Sequence, residues 1–217
     1  MTTNGATANA RPSSLAKRQA ILAAAEEAFL DSGYDAVTMD DLAERSGVAK
    51  QTMYAHFGSK DALFVDLVTA MTSGAGDAVH EAAAPVERAA DIGPLLVERM
   101  SQQLDVVLTP RLLRLRRLVI GEVARFPALA RALAEHGPHR AIASIEVLLR
   151  DLDGRGLLAV PEPRVAAAQL NWLVMGEPVN DAMLLGDDAV LSARQRRAHV
   201  ERAVATFLAA YDVRPTS

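Results

Sequence analysis

A short window of the sequence is rich in side chains that hydrogen-bond to nucleic acids. Residues 45–60 include three basic residues and no acidic one, whereas residues 19–44 include seven acidic residues and no lysine or arginine. The polar side chains inside the window are Lys50, Gln51, Thr52, Tyr54 and His56. Side chains of these types neutralise phosphates and hydrogen-bond to base edges. The window is therefore a candidate nucleic-acid contact surface, and the alternative is a chance cluster of charges on a solvated helix face.

The elements that must position these side chains are two short helices joined by a turn. The apolar spacing and the turn residues predict a helix over 39–45, a turn at 46–48 and a second helix over 49–56. Thr38 is predicted to cap the first helix, and Asp40 and Asp41 follow in its first turn, where acids complement the helix dipole. Gly47 permits the tight turn of a helix-turn-helix, in which the second helix is presented to a major groove.

The rest of the chain has the apolar periodicity of helices. Apolar residues recur at helical spacing after residue 14, and no stretch alternates with a period of two, so the sequence predicts an all-α fold. Residues 1–14 are small and polar, which predicts a disordered N-terminal tail. The glycine- and proline-bearing stretch over 73–94 predicts a seam between an N-terminal domain over 15–72 and a larger helical domain over 73–217. Pro178 predicts a kink or a stop near Gly176.

Composition excludes several classes of protein. The chain has 217 residues, is 50% hydrophobic and 23% charged, and contains no cysteine, so disulfide frameworks, thiol catalysis and cysteine-bound zinc are excluded. No uncharged apolar run approaches the roughly 20 residues of a membrane span, and the N-terminus lacks an apolar signal core. We therefore expect a cytoplasmic protein with no membrane partner and no cofactor. The net charge of −4 by itself argues against a polyanion-binding protein.

The window and its surroundings resemble a known family. The run from Thr38 to Phe64, TMDDLAERSGVAKQTMYAHFGSKDALF, resembles the N-terminal DNA-binding signature of the TetR family of transcriptional repressors. The segments over 121–131 and 135–138 are similar to the C-terminal region of the AefR-like subgroup. This resemblance implies a three-helix DNA-binding domain with a helix-turn-helix, followed by a helical ligand-binding and dimerisation domain. It also implies a repressor that binds a palindromic operator as a homodimer, is released by a small apolar or amphipathic effector, and is not an enzyme.

The resemblance assigns roles to individual positions. The positions that touch bases in such proteins are Lys50, Gln51 and Thr52, and Lys50 is also expected to neutralise a phosphate. The positions that contact the phosphate backbone are Thr38, Tyr54, His56 and Lys60. The chain departs from the family pattern at Ala49, where a serine that could cap the recognition helix is common, and at Gln51, where a small residue is common. We expect the change Lys60→Ala to weaken binding to every DNA sequence alike and Gln51→Ala to alter the preferred sequence.

Two apolar stripes near the C-terminus, over 165–179 and 200–211, are the predicted dimer surface, unless they close the core of the monomer. The sequence offers few aromatic residues in the larger domain, which favours an effector cavity walled by aliphatic side chains and methionine. The candidate effector-binding residues are Met100, Leu104, Arg116, Phe126, Trp172 and Met175.

Arg116 is unusual because it shares the apolar face of its predicted helix with Leu112 and Val119. A charge on such a face needs a partner. We expect an internal ion pair with Glu146 or Glu177 and, as the alternative, an anionic group of the effector.

Two other functions are considered. Glu135, His136 and His139 have a spacing that could bind a metal in an all-α enzyme, but the glycine and proline at 137–138 break the helix that would align them, so no metal site is expected. A regulator that binds a protein partner instead of DNA would be expected to lose Lys50, Tyr54 or Lys60 from its helix-turn-helix face, and all three are present.

Overall fold

A computed structural model of the chain describes residues 13–80 and 88–211, apart from the side chains of residues 73–80. Within these residues all regular structure is helical and no strand is formed, which confirms the all-α fold. Short 3-10 turns precede α5 and follow α9, and a π-helical turn over Glu135–His139 joins α7 to α8. The α-helices are α1 (Ser14–Ser32), α2 (Met39–Ser46), α3 (Lys50–Phe57), α4 (Lys60–His80), α5 (Ile92–Val107), α6 (Pro110–Glu122), α7 (Pro127–Ala134), α8 (Arg140–Gly154), α9 (Pro163–Leu185) and α10 (Ala193–Ala210).

The chain divides into two compact units, and the boundary between Leu67 and Val68 lies inside α4. The sequence places the seam later, from residue 73 onward, but α4 continues to His80. Residues 81–87 of that seam lie outside the described residues, as do residues 1–12 of the predicted tail. Ser14 already belongs to α1, because the hydroxyl of Ser13 caps the helix by accepting a hydrogen bond from the Ala16 N–H at 3.2 Å.

Aromatic rings fill the core of the first unit. Phe29, Tyr34 and Phe64 are fully buried, and their ring centroids lie 5.1–5.5 Å apart in stacked and edge-to-face arrangements. Such pairs stabilise a core beyond the area they bury. Gly33 ends α1 with a φ of 83°, which a glycine adopts without strain, and so turns the chain toward Tyr34. This compact core holds α2 and α3 in place.

Aliphatic side chains build the core of the second unit. The strongest packing is between α8 and α9 and between α5 and α10. Of the aromatic side chains in the described part of this unit, only Phe207 is among the buried core residues. Gly154 ends α8 and Pro163 begins α9.

The sequence predicts a kink or a stop near Gly176, and the stop is wrong, because the helix continues from Pro163 to Leu185. A proline lacks an N–H, so it leaves the carbonyl four residues earlier, that of Val174, without its helical donor. His199 of α10 replaces that donor, with its Nε2 atom 2.9 Å from the Val174 oxygen. A side chain from a neighbouring helix thus makes the proline tolerable.

Part of each C-terminal stripe closes the core of the monomer, which is the alternative that the sequence left open, and the dimer surface stays a prediction. Val179 on α9 and Val200, Val204 and Phe207 on α10 are buried in the core of the second unit. The regular spacing of these apolar residues marks the faces of α9 and α10 that lie against the core. The outer face of α9 carries exposed apolar residues of the same stripe, Val165, Trp172 and Leu173, together with Leu184.

Candidate DNA-binding and effector sites

A reciprocal cap fixes the start of α2. The Asp41 N–H donates to the hydroxyl oxygen of Thr38 at 3.2 Å, and the Thr38 N–H donates to the Asp41 carboxylate at 3.0 Å. This capping box confirms the predicted N-cap. The Thr38 hydroxyl also donates to the same carboxylate at 2.7 Å, and these hydrogen bonds lower the pKa of Asp41. Thr38 is exposed, but its hydroxyl hydrogen is already used within the cap.

The turn between α2 and α3 is held by backbone hydrogen bonds. Gly47 adopts a left-handed conformation with a φ of 64°, which favours glycine, and its N–H bonds the Glu44 carbonyl at 3.2 Å. The Val48 N–H donates to the Ala43 carbonyl at 3.2 Å. Met53 of α3 is fully buried and anchors the second helix in the core. The helix-turn-helix predicted from the sequence is confirmed, with each helix ending one residue later than predicted.

Polar side chains occupy the exposed face of α3. Lys50, Gln51 and Tyr54 are exposed, with Tyr54 at 43%, whereas Thr52 and His56 are half-buried. Phe57 is buried in the core. Five of the predicted DNA-contacting residues therefore share one short helix. Ala49 occupies the N-cap of that helix and makes no side-chain cap, so its first N–H groups have no capping acceptor from that side chain.

Lys60 differs from the expectation of a free phosphate contact. Its ammonium group donates to the carbonyls of Tyr34 and Val37, each at 3.0 Å, and lies 4.3 Å from the centre of the Tyr34 ring. Two of its three N–H donors are thus occupied within the first unit. Lys60 holds the loop between α1 and α2, because both carbonyls belong to that loop. Its substitution is expected to loosen the domain as well as to change any contact with DNA.

Lys50 is the exposed cation of the recognition helix, and it is paired. Its ammonium group lies 2.6 Å from the carboxylate of Asp40 on α2, and the hydrogen bond between them raises the pKa of Lys50. Both side chains are more than half exposed, at 58% and 63%. An exposed pair of this kind contributes little to stability, so Lys50 can exchange its partner at small cost.

A cavity of about 100 Å³ opens within the second unit. Its walls come from α4, α5, α6, α8 and α9, with further residues from α7 and the π-helical turn. Its apolar lining residues are Val106, Val107, Leu112, Leu133, Pro138, Ala141, Trp172, Met175 and Val179. Its polar lining residues are Thr72, Gln103, Arg116, His136, Arg140 and Asn171. Concave, mostly apolar spaces with a few polar groups are typical of small-molecule sites.

The expected internal ion pair of Arg116 is wrong. Glu146 instead pairs with Arg150 and, at 3.8 Å, with Arg164. No described residue gives the Arg116 guanidinium a hydrogen bond or an ion pair, and burial lowers its pKa. The sequence placed Arg116 correctly on an apolar face, but that face borders the cavity rather than an acid.

Sequence reasoning missed Asn171. Its side chain is only 1% exposed, its oxygen accepts a hydrogen bond from the Gln103 amide at 3.1 Å, and its own amide nitrogen has no partner among the described residues. A polar residue between Leu170 and Trp172 on a helix with an apolar face was the available signal.

The remaining predicted effector residues separate into two groups. Trp172 and Met175 line the cavity together with Arg116. Met100 borders a smaller neighbouring pocket, whereas Leu104 is fully buried in the core. Phe126 occupies the N-cap position of α7 and is not a lining residue of either pocket. The sequence identifies the apolar helix faces but not which of their members border an empty space.

Neither a metal centre nor a membrane span is found in the described part of the chain. Its His, Asp and Glu residues form no group of three or more that could hold a metal ion. Gly137 has non-helical backbone angles, so α7 and α8 are separated by a kink at the point where the predicted metal spacing would need a straight helix. None of the described helices combines the length and apolar character that a membrane span requires.

A capped helix-turn-helix is typical of DNA-binding transcriptional regulators, and comparison with known proteins agrees. The model of bacterial regulatory proteins of the TetR family matches residues 21–67, and the model of the AefR-like transcriptional repressor C-terminal domain matches residues 94–213. The chain belongs to the TetR family of transcriptional regulators, which are not enzymes.

Similar structures cover nearly the whole chain. A TetR-family regulator from Mesorhizobium loti MAFF303099 is 32% identical, with 94% of this chain and all of the other covered and a TM-score of 0.81. The flavonoid-responsive regulator FrrA is 30% identical over 90% of this chain and 97% of its own, with a TM-score of 0.77. The transcriptional activator FasR of Mycolicibacterium smegmatis is 47% identical over 49 residues, 23% of this chain and 22% of FasR. The match thus spans about a fifth of that curated relative.

Proposed function

We propose that this protein is a ligand-responsive repressor that binds a palindromic operator as a homodimer and is released by a small apolar or amphipathic effector. The exposed polar face of α3, held in a capped helix-turn-helix, carries this proposal. The domain over 15–72 would contact DNA, and the domain over 73–217 would bind effector and dimerise. A protein that acts on bacterial DNA works in the cytoplasm, which is where we place it.

The contacts to DNA divide between bases and phosphates. Gln51 is exposed at the start of α3 and has the amide that reads base edges, so we assign it to base recognition together with Thr52. Lys50 and Tyr54 are exposed on the same helix, and we assign them to phosphates with help from Thr38, His56 and Lys60. The internal contacts of Lys60 leave Lys50 as the better test of a phosphate contact.

The outer faces of α9 and α10 support a homodimer. Val165, Trp172, Leu173 and Leu184 recur at helical spacing on the exposed side of α9. The exposed side of α10 carries small residues, including Ala205 and Ala209, which allow a close approach of two helices. Exposed apolar faces of this kind mark interaction sites, and a two-fold axis would bring the same faces of two copies together.

The repressor role and its release are supported by the relatives and by α4. The family model that matches the second unit describes a repressor, and the name of FrrA states a response to flavonoids, which are small aromatic molecules. Helix α4 supplies Phe64 to the core of the first unit and Thr72 to the cavity wall in the second. A ligand in the cavity would act on the helix that carries the DNA-binding core, with a coupling of about 1–3 kcal/mol.

The test begins with the operator. Purified protein is mixed with random genomic fragments and the retained DNA is sequenced, and we expect a palindrome whose half-sites lie about one helical turn apart. Binding of that duplex is then measured by fluorescence anisotropy over a range of salt concentrations. Failure to enrich any sequence over bulk DNA contradicts the proposal.

Two variants separate the assigned contacts. We expect Gln51→Ala to change the preferred sequence, and Lys50→Ala to weaken binding to all sequences and to reduce the salt slope by about one. A changed base preference in Lys50→Ala would overturn its assignment to a phosphate.

The ion pair between Lys50 and Asp40 provides a further matched test. The change Asp40→Asn frees Lys50 for a phosphate, so we expect DNA binding to tighten by about two- to fivefold without a change in sequence preference. Glu44→Gln removes the same charge from α2, and Glu44 makes no described contact with Lys50. An equal gain in both variants would mean that net charge alone is responsible.

A further inference from the structure

The cavity of the second unit is unusual in its charge. Two arginines, Arg116 and Arg140, border it, and none of the described residues that line it is acidic. The rest of its wall is mostly aliphatic and aromatic. Buried charges normally require a partner, and the described lining of the cavity offers no carboxylate to Arg116. The lining of this cavity therefore suits a ligand that carries a negative charge.

Arg116 faces this space, and no described residue pairs with its guanidinium. Burial lowers the pKa of its guanidinium, yet arginine stays protonated at any physiological pH. Its neighbour Arg117, by contrast, is satisfied by the carboxylate of Asp187 at 2.8 Å and the carbonyl of Ala182 at 2.7 Å. The planar fork of an arginine binds a carboxylate through two parallel hydrogen bonds, which is the strongest pairing it makes.

Asn171 supplies an independent observation that points to a ligand. It lines the same cavity, is 1% exposed, and has an amide nitrogen that no described residue satisfies. The hydrogen bond from Gln103 to its oxygen holds the amide in position. Buried donors are rarely left without an acceptor, because each costs about 1–3 kcal/mol. An acceptor on a bound molecule would remove that cost.

We infer that the effector is an amphipathic anion, an aryl or alkyl acid whose negative group pairs with Arg116 and whose second acceptor takes the free N–H of Asn171. This inference rests on the proposed function, because it specifies the effector of the same cavity. Trp172, Met175 and Leu112 bury the apolar part of the molecule. The anionic group can be a carboxylate or the ionised hydroxyl of an acidic phenol, since both present an oxygen anion on an apolar body.

The test compares acids with uncharged molecules of the same shape. The probes are octanoate with octanamide, trans-cinnamate with cinnamamide, and 7-hydroxyflavone with 7-methoxyflavone. Trp172 is the only tryptophan of the chain and borders the cavity, so its fluorescence reports binding directly and without DNA. Titrations are run at one protein concentration, and the shift of the melting temperature serves as the second readout.

We expect at least one acid to bind about tenfold or more tightly than its uncharged counterpart, as a charge-assisted hydrogen bond provides. The pair that shows this preference distinguishes a carboxylate from a phenolate. The change Arg116→Met should abolish the preference, and Arg116→Lys should keep part of it. Arg114→Met is the matched control, because Arg114 lies on the same helix, is exposed and does not line the cavity, and it should keep the full preference.

Several outcomes would overturn the inference. Equal binding of every acid and its counterpart would do so, as would failure of all acids to bind or survival of the preference in Arg116→Met. Asn171→Leu should weaken the preferred acid about tenfold, and unchanged affinity would remove Asn171 from the site. Operator binding is measured separately on the same proteins. A protein that discriminates acids but binds no operator would refute the proposed function and leave this inference standing.

Discussion

The cores of the two units differ in the side chains that fill them and in whether their polar groups have hydrogen-bond partners. In the first unit, three aromatic rings pack against one another, and Lys60 is satisfied by two backbone carbonyls. In the second unit, an aliphatic core surrounds a cavity, and no described residue accepts a hydrogen bond from the Arg116 guanidinium or from the Asn171 amide nitrogen.

The difference follows from size and task. A small unit has little apolar area to bury, so every empty space would cost a large share of its stability. The second unit is larger and can keep a cavity and unpaired donors that a ligand completes. Empty space and unpaired polar groups are therefore informative about function where the rest of the core is well packed.

The largest expected effect comes from removing an aromatic ring from the core of the first unit. The change Phe64→Ala removes a fully buried ring that contacts Phe29 and Tyr34, and should cost about 3–5 kcal/mol. Hydrogen exchange followed by mass spectrometry should show lost protection in α1 to α3 and unchanged protection in α8 and α9. Equal loss in α8 and α9 would mean that the two units unfold as one.

The second prediction concerns the second unit, where a substitution at the cavity is expected to raise the unfolding free energy rather than lower it. The change Arg116→Met replaces an unpaired, partly buried cation by an apolar side chain, so the ligand-free protein should gain about 1–2 kcal/mol of unfolding free energy. Urea unfolding monitored by Trp172 fluorescence measures it. Arg114→Met, on the exposed side of the same helix, should stay within about 0.5 kcal/mol of the wild type. A loss of stability in Arg116→Met would show that the arginine is already satisfied.

The third prediction concerns His199, a polar side chain of the second unit that has a hydrogen-bond partner. His199→Leu removes the donor to the Val174 carbonyl and should cost about 1 kcal/mol. In the background of Pro178→Ala, whose new N–H can bond that carbonyl within the helix, the same change should cost much less. The difference between the two costs is the coupling measured by a double-mutant cycle. Identical costs in both backgrounds would show that His199 stabilises α9 in some other way.

The fourth prediction fills a gap in the first unit. Ala49→Ser offers the recognition helix the side-chain cap it lacks, and should raise the unfolding free energy by about 0.5–1 kcal/mol. Thermal unfolding followed by circular dichroism provides the measurement. The change Ala55→Ser, at an exposed position further along the same helix, is the control and should not raise the unfolding free energy.

The smallest effect is a pH dependence at the cap of α2. Hydrogen bonds from Thr38 lower the folded-state pKa of Asp41 below its unfolded value. The cap therefore contributes its full stability above the unfolded pKa of an aspartate, about 3.9, and loses it as the pH falls through the lower folded value. The change Thr38→Ala should reduce the loss of unfolding free energy on acidification, measured from about pH 5 downward. An unchanged dependence of stability on pH in this range would contradict the role of Thr38.

Local sequence determined the parts of this protein that neighbouring residues control. The cap at Thr38, the turn at Gly47 and the bounds of α2 and α3 depend on hydrogen bonds between residues within five positions of one another. The helical period of the apolar residues likewise predicted an all-α fold. The recognition helix and its polar face could be located on this basis.

Only the tertiary structure decided how distant residues pair. His199 compensates for Pro178 by bonding a carbonyl 25 residues away, and Gln103 orients an amide 68 residues away. The ammonium of Lys60 reaches carbonyls 23 and 26 residues earlier, which turned an expected phosphate contact into a loop anchor. The periodicity of a helix places a side chain on a face but does not say what lies opposite. For Arg116 the opposite side is an empty cavity rather than an acid, because the packing of several helices, and not the residues beside it in the chain, sets what an apolar face meets.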